Sequence, residues 1–180
     1  KNEERSGIIL RIGKNYNGIL PYKLIQDKTF TQRKIRFFHG EQIKCRLEEV
    51  RNKFTESNIS SLYVTKYQLI FERRSTEFIK EILREMIPEV EEGVVLIKNV
   101  TRMPGLVTKV LVSSSEDNIN PIGICIGLYS QRRNNLIEIL KGEKIDFILY
   151  KQNIVEQVER CFSKFNLYKV NVYDHYVQVV

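Results

Sequence analysis

The chain has 180 residues and a net charge of +7, with 42% hydrophobic and 28% charged residues, which is ordinary for one large or two small globular domains. No stretch approaches the uninterrupted apolar run of a membrane span, and no signal peptide opens the sequence. The three cysteines, Cys45, Cys125 and Cys161, match neither a zinc spacing nor a disulfide framework, so reduced thiols are expected.

Residues 1–72 read as β. An apolar run at 8–12 is followed by a turn at Gly13-Lys14-Asn15, and Tyr16-Asn17-Gly18 leads into a strand that Pro21 ends. Gly40 marks a second turn, opening a strand over 42–50. A polar loop at 51–61 precedes a strand over 62–71. Short strands at this spacing, separated by glycine turns, suggest a small barrel. This part also holds the basic excess, 14 Lys/Arg against 8 Asp/Glu, whereas residues 73–150 hold 11 of each and residues 151–180 hold 4 against 3. A polyanionic partner is therefore expected at the N-terminal third.

Ser75 caps a helix over 75–86, with Phe78, Ile79, Ile82, Leu83 and Met86 on one face and Pro88 as its stop. The acidic run Glu89 to Gly93 reads as a solvated link. Strands over 94–100 and 107–113 flank a Pro104-Gly105 turn. Asn120 then caps a short apolar helix that begins at Pro121 and ends at Gly127. Leu128 and Tyr129 are expected on an exposed loop, with Ser130 capping a helix over 131–140 that opens Gln131-Arg132-Arg133. A strand over 144–150 follows. From Asn153 the pattern begins again, with a helix and then strands over 167–173 and 176–180 hinged at Asp174-His175.

A helix, a tight glycine loop and a helix opening with two arginines form a seat for a phosphate. The arrangement resembles the clamp of a KH domain, which holds a single-stranded backbone. The run P-I-G-I-C-I-G-x-x-x-x-R at 121–132, preceded by E-D-N-I-N and followed by G-E-K-I-D, resembles more specifically the first KH domain of the NusA family. That family's second loop glycine is Ser130 here, and serine restricts the backbone more than glycine does. N-G-I-L-P at 17–21 and H-G-E-Q-I-K at 39–44 resemble the OB-type barrel named after ribosomal protein S-one, which precedes the KH domain in the same family.

The resemblance implies an α+β protein in three parts: an S-one-like OB barrel at 1–72, a type II KH domain (αββααβ) at 73–150, and a truncated second KH unit at 151–180. It further implies an RNA-binding transcription factor that contacts nascent RNA and, through a region outside this chain, a bacterial-type RNA polymerase, modulating pausing, termination and antitermination. The RNA-contacting candidates are Gly127, Leu128, Tyr129, Ser130, Gln131, Arg132 and Arg133 in the clamp. In the barrel they are Lys14, Tyr16, Lys34, Arg36, Phe37 and His39, since OB barrels stack bases on aromatics beside cations. Phe37 and Phe38 are neighbours, so one is expected to point inward and one outward.

No catalytic residue, metal ligand or cofactor is expected. His39 and His175 lie in different parts, and no Walker loop, HExxH or cysteine pair occurs. The chain reads as a monomer of a bacterial cytoplasm or, from its richness in Ile, Lys and Asn and lack of Trp, a plastid-type stroma. A KH/OB module that docks proteins and a ribosome- or RNA-decay-associated RNA binder are the alternative readings.

Overall fold

In a computed structural model, which describes residues 7–14, 16–25, 35–52, 67–163, 165, 167–174 and 176–180, the chain is mixed α+β with three separate sheets. The first sheet has the order β1-β2-β4-β3, from β1 (Gly7–Ile12), β2 (Tyr16–Pro21), β3 (Arg46–Asn52) and β4 (Tyr67–Glu72). β1 and β2 form an antiparallel hairpin whose turn passes through Gly13 at φ 58°. β2 runs parallel to β4, and β3 runs antiparallel to it with a bulge between Leu47 and Glu49. Gly18 lies against the Phe71 ring, where a Cβ would approach to 2.5 Å, so a larger residue would have to displace that ring. The segment 53–66, which holds most of the expected polar loop and the start of the expected 62–71 strand, lies outside the described residues.

The second sheet, β5-β6-β7, consists of β5 (Val95–Met103), β6 (Val107–Ser114) and β7 (Lys144–Leu149). β5 and β6 are antiparallel across the Gly105 turn, and β7 is parallel to β6. Thr108, Val110 and Val112 alternate inward along β6, in register with Ile145 and Phe147 of β7. Against this face pack α1 (Thr76–Met86), α3 (Pro121–Ile126) and α4 (Gln131–Ile139), which bury Phe78, Ile79, Ile82, Leu83, Cys125 and Leu136. Each such large side chain removed from water contributes about 1.5–3 kcal/mol, and this is the main core of the described residues. Ser75 accepts the Phe78 N–H at 3.0 Å and Asn120 accepts the Gly123 N–H at 3.2 Å, so both expected caps form.

The acidic run at 89–93 links α1 to the second sheet with Glu91 and Glu92 exposed, as the charge pattern suggests, but part of it is helical. Pro88 both stops α1 and opens a short helix, α2 (Pro88–Glu91), with Glu89 and Glu91 in its first turn. Proline at the first helical position, followed by acids, was the local signal for it.

The third sheet pairs β8 (Val170–Val172) with β9 (Val177–Val179), after α5 (Ile154–Cys161), whose first amides are accepted by Asn153. α5 is tied to the second sheet by Lys109, whose ammonium donates to the Cys161 carbonyl at the helix C-terminus, where a cation complements the dipole. Phe162 and Phe165 lie past the end of α5 and are exposed, and His175 of the expected hinge lies outside the described residues.

The first and second sheets meet at Arg73. Its guanidinium donates to the carbonyls of Lys44 and Ile139, and its N–H donates to the Leu24 carbonyl at 2.8 Å. Burial lowers the Arg73 pKa, offset in part by the neighbouring Cys45 thiol. Lys44–Glu85, Arg46–Glu81 and Lys141–Glu41 ion pairs cross the same junction.

The core position of Cys125 predicts its reactivity. Burial pushes its thiol pKa up to about 12, so almost no thiolate exists at neutral pH. Iodoacetamide at pH 8 is expected to leave Cys125 unmodified in the native protein and to alkylate it only after denaturation, as read by mass spectrometry. Labelling of the folded chain at Cys125 would contradict this packing.

Candidate nucleic-acid interface

The loop after α3 is built by backbone conformation. Gly127 has φ 74° and ψ 170°, a region essentially reserved for glycine. Tyr129 (φ 50°) and Ser130 (φ 61°) follow, both left-handed without being glycine. Such residues persist only where the surroundings over-determine them. Leu128–Ser130 forms a single 3-10 turn in which the Ser130 N–H donates to the Gly127 carbonyl at 3.1 Å. The Gly127 N–H is itself bonded to the Gly123 carbonyl at 2.9 Å. Between these two bonded amides lie Leu128 and Tyr129, which are 76% and 92% exposed.

Ser130 does not cap α4 as its residue type suggested. It occupies the N-cap position, but in the left-handed conformation, and its side chain makes no cap hydrogen bond. The cause is the turn before it, which rotates the Ser130 backbone away from the extended geometry that capping needs. The first amides of α4 therefore receive no side-chain cap from their own N-terminus.

The two arginines have different surroundings. Arg132 donates from Nη1 to Glu89 Oε2 at 2.9 Å and from Nη2 to Glu89 Oε1 at 3.3 Å, and Nη1 also donates to the Ile124 carbonyl at 3.0 Å. Instead of pointing at a ligand, it joins α2, α3 and α4. The Glu89 pKa lies below the usual carboxylate value. Burial alone would raise it, but hydrogen bonds from its own backbone N–H and from Arg132 outweigh that. The stabilisation is present above the ordinary glutamate pKa and is lost as pH falls through the lowered folded value. Arg133, one residue on, carries no ion pair among the described residues, and its Nε is buried without a hydrogen-bond partner. Gln131 is exposed at the first position of α4.

The expected candidates of residues 1–72 differ in their surroundings. Lys14 and Tyr16 are exposed at the β1–β2 turn, and Arg36 and His39 are exposed in and before the Gly40 turn. Lys34 lies outside the described residues. Phe37 is half-buried at the junction, with Arg73 5.4 Å and Lys141 5.7 Å from its ring centroid. Its face is taken by these cations. Phe38 is the exposed member of the pair. Beside Phe37, a cleft of about 370 Å³ is lined by Glu41, Lys44, Arg73 and Lys141, all engaged by partners within the chain.

Two carboxylates that charge patterning does not single out, Glu89 and Glu143, hold these elements in place. Glu143 is fully buried and receives Arg102 Nε at 2.8 Å, Arg102 Nη2 at 2.9 Å, the Gly105 N–H at 2.7 Å and the Thr108 hydroxyl. It pins the β5–β6 turn to the strand that follows α4.

Comparison with known proteins matches part of this chain to a known family. Residues 73–150 match the family model described as NusA-like first KH domain. Over 107 residues the chain is 37% identical to the transcription termination/antitermination protein NusA of Borreliella burgdorferi, covering 59% of this chain and 22% of that protein. The protein of the same name in Halalkalibacterium halodurans is 31% identical over 117 residues, covering 61% of this chain and 31% of its own. For Thermus thermophilus the identity is 36% over 95 residues, covering 53% and 24%. The chain thus spans less than a third of the length of these relatives. On the match of its residues 73–150, this chain carries a NusA-like first KH domain.

Proposed function

We propose that this chain is the RNA-binding part of a NusA-like transcription factor, which holds nascent single-stranded RNA and so modulates pausing, termination and antitermination by a bacterial-type RNA polymerase. The division that goes with this reading is an S-one-like barrel at 1–72, a type II KH domain at 73–150 and the start of a second KH unit at 151–180. The role is binding, not catalysis. The polymerase contact is assigned to parts of such a factor outside residues 1–180. The chain acts as a monomer, in a bacterial cytoplasm or a plastid-type stroma. The names of these relatives, transcription termination/antitermination proteins, support the transcription role.

The observation that carries the RNA reading is the 127–130 loop. The exposed Leu128 and Tyr129 lie on a positive-φ loop that runs directly into the N-terminus of α4, where Arg132 and Arg133 follow in sequence. Amides at a helix start favour a phosphate, and an exposed tyrosine offers a stacking face to a base.

Fluorescent single-stranded RNA titrated at several salt concentrations tests it, alongside the variant Leu128→Asp with Tyr129→Asp. The wild-type chain is expected to bind with affinity falling steeply with salt, and the variant to lose at least about tenfold, since two like charges face the backbone. Equal binding by both would move the RNA surface to the first sheet. Absence of binding by either would leave the protein-docking reading in its place.

A further inference from the structure

Arg132 and Arg133 are adjacent in sequence and, by charge alone, equivalent. The structure separates them. Arg132 is held by three hydrogen bonds to two other helices, two of them in a forked Arg–carboxylate pair with Glu89. Such forks are the strong, geometrically specific form of the ion pair. Both side chains are about 30% exposed, so the pair is partly withdrawn from solvent screening. The aliphatic stem of Arg132 lies under the loop. A Cβ at Gly127 would stand 2.8 Å from its Cγ and 3.1 Å from its Cβ.

The loop above that stem needs support, because Gly127, Tyr129 and Ser130 all have positive φ and two of them carry side chains that disfavour it. Arg132 supplies it from three directions. Its stem fills the space beneath Gly127, its Nη1 satisfies a carbonyl of α3, and its fork is anchored on α2. To reach a phosphate, Arg132 would have to give up all three.

We propose that Glu89 and Arg132 form a strut that positions the 127–130 loop, and that Arg133 is the arginine which neutralises a phosphate held there. Arg132 is in this sense a positioning residue. The part assigned to Arg133 rests on the RNA-binding reading above; the strut itself does not.

The test uses the whole chain with four variants, Glu89→Gln, Arg132→Lys, Arg132→Gln and Arg133→Gln. Two readouts are taken: exchange of the Gly127 and Ser130 amide protons, and single-stranded RNA affinity against salt. Arg132→Lys keeps the charge but loses the fork, so it separates geometry from charge. With a strut, Glu89→Gln and Arg132→Lys both speed exchange at the two amides. Arg132→Lys then weakens RNA binding about threefold to fivefold, the scale of a partly exposed ion pair, with the salt slope unchanged. Arg133→Gln leaves exchange as it was and reduces the salt slope by about one, as loss of one phosphate contact does. The proposal is overturned if Arg132→Lys exchanges and binds like the wild type while Arg132→Gln lowers the salt slope by about one, for Arg132 is then a phosphate ligand. If the wild-type chain binds no RNA, the RNA reading fails and takes the role of Arg133 with it. The exchange rates of Glu89→Gln and Arg132→Lys then still decide whether the strut exists.

Discussion

Replacing Glu143 with alanine is expected to destabilise the chain by about 3–5 kcal/mol, the cost of removing one member of a buried ion pair. The carboxylate is fully buried and the Arg102 side chain is only 4% exposed, so neither charge is hydrated in the folded state. Removing Glu143 leaves the guanidinium uncompensated and also orphans the Gly105 N–H and the Thr108 hydroxyl. Arg102 cannot turn to solvent, because Nη1 also donates to the carbonyls of Arg73 at 2.7 Å and Ser75 at 3.0 Å. The loss therefore spreads from β7 to the start of α1. Urea unfolding followed by tyrosine fluorescence measures it, since the chain has 9 Tyr and no Trp. A double variant that also replaces Arg102 by methionine should fall short of the sum of the single losses by at least about 1 kcal/mol, because contacting charges couple. Strict additivity would mean that the two charges do not depend on each other.

Gly127→Ala should abolish most loop function while sparing the fold. Its φ 74°, ψ 170° conformation costs a non-glycine residue about 1–3 kcal/mol. The added Cβ would also meet the Arg132 stem at 2.8 Å, with no flexible end of a side chain there to give way. The loop has to rearrange, and the exposed Leu128 and Tyr129 shift with it. We expect stability to fall by about 1–3 kcal/mol and single-stranded RNA affinity to fall at least about tenfold, the effect of misplacing a preorganised site. Ser130→Gly is the contrasting variant. It removes a Cβ from a left-handed position at φ 61° and should relieve the loop instead of breaking it. Wild-type affinity in Gly127→Ala would show that the loop backbone is not the contact.

Short-range features of this protein were legible residue by residue. Ser75, Asn120 and Asn153 accept the helix amides expected of them, and Gly105 and Gly127 turn where a positive φ is needed. Each depends on atoms within a few residues, so sequence proximity suffices. The exception is Ser130, whose local preference for capping lost to the turn imposed by the residues before it. The surroundings of Phe37 were not legible for a different reason. Its neighbours Arg73 and Lys141 lie far along the chain, and nothing local marks an aromatic as already occupied.

By itself, then, the sequence determined the caps, the turns, the apolar faces of α1 and the β6 alternation, and the exposed Leu128 and Tyr129. These follow from period and from side chain-to-backbone hydrogen bonding over one helical turn. Only the tertiary structure decided which charges are spoken for. Glu89 and Arg132 stand 43 positions apart, and Arg102 and Glu143 stand 41 apart. A formal charge count treats Arg132 and Arg133 alike. Their difference arises because one guanidinium meets a carboxylate and a helix-end carbonyl brought to it by packing, whereas its neighbour has no ion pair among the described residues.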